Sequence, residues 1–160
     1  MTIRYEANPP KILPNVNTDE SIEKFVDKIK IISKKCDAIH LTENVLGHKR
    51  VSPIKIGEII KKEIPNIPIT VSLRVRDKNE DEIEKFVDKC ISIGIAGILI
   101  IMGDPSQTKI LDSGLIPSAV ISKLKKKKYD SKIELYLSIS NKPNFLKIGK
   151  KLRANPKGFM

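Results

Sequence analysis

Apolar positions along the chain recur with two alternating periods. Runs of strand character, rich in isoleucine, leucine and valine, begin near Ile3 (IRYEA), Ala38 (AIHLT), Ile69 (ITVSLRV), Gly97 (GILIIM) and Ile133 (IELYLSI), and a sixth starts at Gly158 (GFM). Between them the period lengthens to that of a helix. SIEKFVDKIKIISKK places Ile22, Phe25, Val26, Ile29 and Ile32 on one face, behind Asn17, Thr18 and acidic residues that suit a helix start. SPIKIGEIIKKEI, EDEIEKFVDKCISIG, LIPSAVISKLKKKK and PNFLKIGKKLR follow the same rule. Strand and helix thus alternate throughout, which predicts a parallel sheet with helices packed on it.

The heptapeptide IEKFVDK occurs at 22–28 and again at 83–89, each time as the helix after a strand and a polar loop. The offset equals two strand-helix units of roughly 30 residues each, the regularity of a (β/α) barrel or a doubly wound sheet. No linker or composition break divides the chain, so residues 1–160 read as one domain. Five complete units and the first residues of a sixth strand are present, whereas a closed barrel has eight strands. An open sheet edge is normally covered. Either the chain is incomplete, or a partner chain or a second copy closes the barrel.

Composition narrows the setting. The longest apolar stretch, ISIGIAGILIIMG at 91–103, is far short of the about 20 residues a membrane span needs, and the start lacks an apolar signal core. Cys36 and Cys90 have no CxxC spacing and no histidine cluster beside them, so they read as reduced thiols of a cytoplasmic protein without a metal site. The formal net charge of +11 attracts phosphates of any source. Aromatics make up only 4% and do not interleave with the basic residues, so no specific nucleic-acid partner is expected. The run Lys125 to Lys128 closes a helical pattern, where cations favour the helix dipole.

In parallel α/β proteins the reactive groups sit at the carboxyl ends of strands. Here those ends are Tyr5-Glu6-Ala7-Asn8-Pro9-Pro10, Leu41-Thr42-Glu43-Asn44, Leu73-Arg74-Val75-Arg76-Asp77, Met102-Gly103-Asp104 and Ser138-Ile139-Ser140-Asn141. Glu6 and Asp104 directly follow apolar strand residues. Partial solvation there would raise a carboxyl pKa toward the range of a general acid. The plainer alternatives are an exposed acid at a strand end for Glu6, a Gly-Asp-Pro turn for Asp104 with Pro105 fixing its exit, and a surface ion-pair network for Arg74, Arg76 and Asp77. His40, alternating with Ile39 and Leu41, reads as a hydrogen-bonded structural histidine. Neither a P-loop nor a GxGxxG fingerprint is present.

YEANPPK, LTENVLGHKRVSP, RVRDKN and MGDPS, in that order and spacing, resemble the corresponding segments of the methylenetetrahydrofolate reductase family across essentially the whole chain. The resemblance implies a TIM-type (β/α)8 barrel, of which about five and a half units are present. It further implies FAD as cofactor, NADH or NADPH as electron donor, and a folate or related pterin as substrate. Glu6 falls on the family's catalytic acid and Asp104 on an aspartate beside flavin and pterin. Gly103 would let the backbone approach the flavin ring. Thr42, Asn44, Ser72, Arg74 and Met102 fall on strand-end positions near the flavin, and Lys150 and Lys151 on a basic pair that contacts the FAD diphosphate. Ser72 and Arg74 stand where the family commonly has histidine and threonine, and Met102 where it often has arginine or threonine.

Overall fold

The computed structural model describes residues 2–45, 48–104, 112–139 and 144–160, with Lys147 as backbone alone. Pro105, Ser140 and Asn141 lie outside the described residues. The six anticipated strands form: β1 (Arg4–Ala7), β2 (Ala38–Leu41), β3 (Ile69–Arg74), β4 (Gly97–Ile101), β5 (Glu134–Leu137) and β6 (Gly158–Phe159). Among the described residues five α-helices connect them: α1 (Thr18–Ile32), α2 (Pro53–Glu63), α3 (Glu80–Ser92), α4 (Pro117–Lys126) and α5 (Phe145–Arg153). The strands pair in parallel and in chain order, each with the next. This is a partial (β/α)8 barrel.

Local chemistry sets the helix boundaries. Asn17 accepts the Asp19 and Glu20 amides at 3.0 and 3.3 Å and opens α1. Asn79 and Glu82 form a reciprocal capping box at α3, with bonds of 2.9 and 2.7 Å. Pro53 and Pro117 occupy first turns, where no amide is needed. The two IEKFVDK copies fall in α1 and α3 and bury matching positions, Ile22 with Ile83 and Val26 with Val87.

Alternation along the strands separates two environments. Ile39, Leu41, Ile69, Val71, Leu73, Ile98, Ile100, Leu135 and Leu137 form the layer beneath the helices and are buried completely or nearly so. The opposite, concave face carries Arg4, Glu6, His40, Thr70, Ser72, Arg74 and Tyr136, with Leu99 and Ile101 of β4 set among them. Arg4 crosses this concavity, its Nη1 lying 3.1 Å from the Met160 sulfur and its guanidinium 5.6 Å from the Tyr136 ring centre. The Tyr136 ring in turn covers Gly97, where a Cβ would come within 2.8 Å of it. The sheet is therefore curled enough for a side chain of the first strand to reach the last.

Candidate active site at the carboxyl ends of the strands

A cavity of about 220 Å³ opens where β1 to β4 end. Glu6, Thr42, Asn44, Ser72, Arg74, Gly103 and Asp104 all line it, so residues picked from separate strand ends meet in one place. Met102 is not among them. It is exposed, and its carbonyl accepts the Arg76 amide at 3.1 Å. Lys150 and Lys151 also lie off the cavity wall, on α5: Lys150 is exposed and Lys151 donates to the Ser138 carbonyl beyond β5.

Arg74 organises the wall. Only 2% exposed, it donates from Nη1 to the Asn44 carbonyl and from Nη2 to the Asp104 carbonyl, each at 2.8 Å, and so ties the end of β2 to the end of β4. The ion-pair alternative is corrected for Arg74 only in its location, because this arginine is buried; Arg76 does form an outer ion pair, with Asp112 at 3.0 Å. Glu43 accepts the Arg74 amide at 2.8 Å with one oxygen and Lys78 Nζ at 2.7 Å with the other. Asp77 adds a longer ion pair to Arg74 at 3.8 Å. Among the described residues the buried Nε of Arg74 has no hydrogen-bond partner. Gly103, at φ +86°, is where the guanidinium packs: a Cβ there would fall 2.7 Å from Nε. The absent side chain thus makes room for Arg74, which differs from the expectation that it clears space for a flavin.

The two carboxylates are also more open than anticipated. Glu6 and Asp104 are both exposed, so the burial on which their expected acid character rests is missing. Glu6 lies on the edge strand β1, with one neighbouring strand, and Asp104 stands beyond the last residue of β4. Thr42 is 6% exposed and donates to Asn8 Oδ1 at 2.6 Å. Asn44, at φ +43°, accepts the Arg50 amide on its Oδ1 at 3.0 Å. Both polar side chains hold loops in place. The β1 and β2 loops are further joined by Ile12 N–H to the Lys49 carbonyl and Val51 N–H to the Pro10 carbonyl, at 3.1 and 2.9 Å.

Five wall residues were not selected from the sequence: the apolar Val45, Leu99 and Ile101, and the ionisable Glu43 and His40. Glu43 stood among the strand ends without a role, and His40 was read as structural. His40 is 2% exposed, with Nδ1 2.9 Å from Thr70 Oγ1 and Nε2 3.0 Å from Ser72 Oγ, so the structural reading holds while the ring also lines the cavity. Burial, with the Arg4 charge adding to it, lowers its pKa to about 4. Its alternation with Leu41 was the available signal, since it shares a strand face with Thr42. Cys90 is buried, and its thiol is pushed up to about 12 by burial and then by the Glu43 charge, which leaves it unreactive.

Whether this wall suits a flavin depends on its donors and its volume. The Ser72 and Thr42 hydroxyls on the wall offer oxygens to the heteroatom edge of a fused ring. The volume admits one ring system, being below the about 300–1,000 Å³ of pockets that enclose whole ligands. Lys150 and Lys151 stand in the last turn of α5, off the cavity wall, and Lys151 Nζ already donates to the Ser138 carbonyl.

Comparison with known proteins places the fold alone. The chain matches no protein-family model and no curated protein. Among solved structures it is similar to an aldolase (TM-score 0.58, 15% identity, 96% of this chain and 66% of that one). It is also similar to CutC from Streptococcus agalactiae (TM-score 0.61, 14% identity, 96% and 70%) and to KGPDC from Streptococcus mutans (TM-score 0.60, 10% identity, 99% and 64%). The chain thus spans about two thirds of the length of these proteins. Among the described residues no helix is long and apolar enough to cross a membrane.

Proposed function

We propose that the chain is an oxidoreductase of the methylenetetrahydrofolate reductase kind, acting on 5,10-methylenetetrahydrofolate or a related pterin. One observation carries this reading: Glu6, Thr42, Asn44, Ser72, Arg74, Gly103 and Asp104, selected for their likeness to that family, line a single cavity at the strand ends. FAD, when bound, supplies a carrier that passes a hydride equivalent from NADH or NADPH to the methylene carbon, which becomes the methyl group of 5-methyltetrahydrofolate.

The chain's own residues do the rest. Glu6 projects from the edge strand into the mouth of the cavity and protonates the folate nitrogen, opening the five-membered ring to an iminium. A pterin seated over the mouth excludes water from Glu6, the condition under which a carboxylic acid holds and delivers a proton. Asp104, across the cavity, places a carboxylate where positive charge develops. Arg74 holds both rims at a fixed separation through the Asn44 and Asp104 carbonyls. Lys150 and Lys151 attract the diphosphate.

The protein titrated with FAD should turn yellow, bleach with NADH or NADPH, and regain its colour on adding methylenetetrahydrofolate. Glu6→Gln should retain the flavin and slow the last step about a hundredfold or more. A protein that stays colourless in excess FAD overturns the proposal. A second reading, a partner-dependent subunit of that family binding flavin or a pterin, is favoured by the exposure of Phe145, Leu146 and Leu152 on α5, at 87%, 81% and 57%. Native mass measurement of the purified chain, alone and from its source cells, separates the two.

A further inference from the structure

The concave face carries a hydrogen-bond chain with a direction. Thr70 Oγ1 lies 3.5 Å from the Ile39 carbonyl, which can only accept, so the backbone offers the Thr70 hydroxyl proton an acceptor other than His40. Thr70 Oγ1 is then free to accept from His40 Nδ1–H at 2.9 Å. With its proton on Nδ1, a neutral ring leaves Nε2 bare, and Nε2 accepts the Ser72 hydroxyl at 3.0 Å. All four residues are buried and lie on adjacent strands in register, His40 opposite Thr70. A doubly protonated ring would find two hydroxyls and the half-buried Arg4 guanidinium nearby, with no carboxylate among its hydrogen-bond partners.

We infer that His40 is a positioning residue, locked as the Nδ1–H tautomer, which turns Ser72 into a fixed hydrogen-bond acceptor on the cavity wall and so selects a ligand presenting an N–H there. The ligand class is a neutral heteroaromatic ring with a ring N–H beside carbonyl oxygens, as in flavins and pterins. This assignment deepens the flavin reading of the same cavity and rests on it for the identity of the ligand. Ser72 is not a nucleophile in this arrangement. A ring as weakly basic as His40 is a poor general base at neutral pH, and the serine sits within a strand with its proton already committed.

Two measurements test this. Nitrogen shifts of 15N-labelled histidine, with His48→Gln to assign the pair, should show His40 with Nδ1 protonated and Nε2 bare at pH 7. An Nε2–H ring or an imidazolium overturns the inference. Riboflavin and 3-methylriboflavin, which lacks the ring N–H, are then compared by fluorescence quenching. Wild-type protein should bind the methylated probe about tenfold more weakly, and Ser72→Ala should bind the two alike. Equal binding by wild type overturns the N–H assignment while sustaining the flavin reading. Failure of both probes to bind overturns the flavin reading and the ligand assignment with it, and the nitrogen shifts still decide the tautomer.

Discussion

At the scale of single residues, Gly103 and His40 show how closely the wall is built. Gly103→Ala meets two obstacles: a positive φ that L-residues avoid, and the Arg74 Nε where its methyl would sit. The substitution should cost roughly 1–3 kcal/mol in urea unfolding. Adding Arg74→Ala should recover the steric part and leave the backbone part, so the two changes will not add. His40 makes stability depend on pH. Its folded-state pKa of about 4 lies below the ordinary value of 6.5, so the unfolded chain binds a proton between these limits that the folded chain does not. The contribution is complete above pH 6.5, and roughly 3 kcal/mol of it disappears as the pH falls to about 4. Unfolding midpoints across that window should slope accordingly, and His40→Gln should flatten them.

At the scale of elements, the sequence and the structure agree because each strand and helix carries its own boundary chemistry. Asn17, Asn79, Pro53 and Pro117 all lie where helices begin, and the apolar faces of both IEKFVDK copies point inward. Asn79→Ala removes half of a capping box and should lower stability by about 1 kcal/mol, read by chemical denaturation, whereas Asn79→Asp should cost little. Paired cations and acids recur across the outer grooves: Lys30 with Glu63 between α1 and α2, and Lys123 with Glu80 and Lys127 with Glu84 between α3 and α4. Being exposed, they stabilise little. What could not be read was where side chains go across the concave face. That Arg74 would be buried, and would claim the space beside Gly103, depends on carbonyls of Asn44 and Asp104 some 30 residues away in either direction. The exposure of Glu6 follows from its place on an edge strand, which strand order fixes and local pattern does not.

At the scale of the whole molecule, the sheet joins a conventional apolar outer layer to a mostly polar concavity. A complete barrel usually packs its centre with branched apolar side chains; here Arg4, His40, Thr70 and Tyr136 stand in that place. Arg4 bears electrostatically on His40 from the first strand while its guanidinium lies against β5 and the Met160 sulfur. Arg4→Ala should therefore raise the His40 titration midpoint, measurable by NMR, and loosen the join between the first and last strands. The likeness to longer barrels extends over about two thirds of their length, and the order of strands is the same as the order in sequence. That order was legible from the alternation of patterns, and the curl from the barrel that the resemblance implied; the side-chain contact of Arg4 with Met160 was not.

The contact from Arg4 to Met160 has a consequence for how the chain can be cut and rejoined. Two residues separated by 156 positions touch through their side chains, so a flexible bridge of about six to eight residues would span the gap between them. The order in which the strands are synthesised is then not essential to the sheet. A circular permutant beginning at Asn66, in the exposed turn before β3, should fold to the same far-ultraviolet spectrum and keep its cavity.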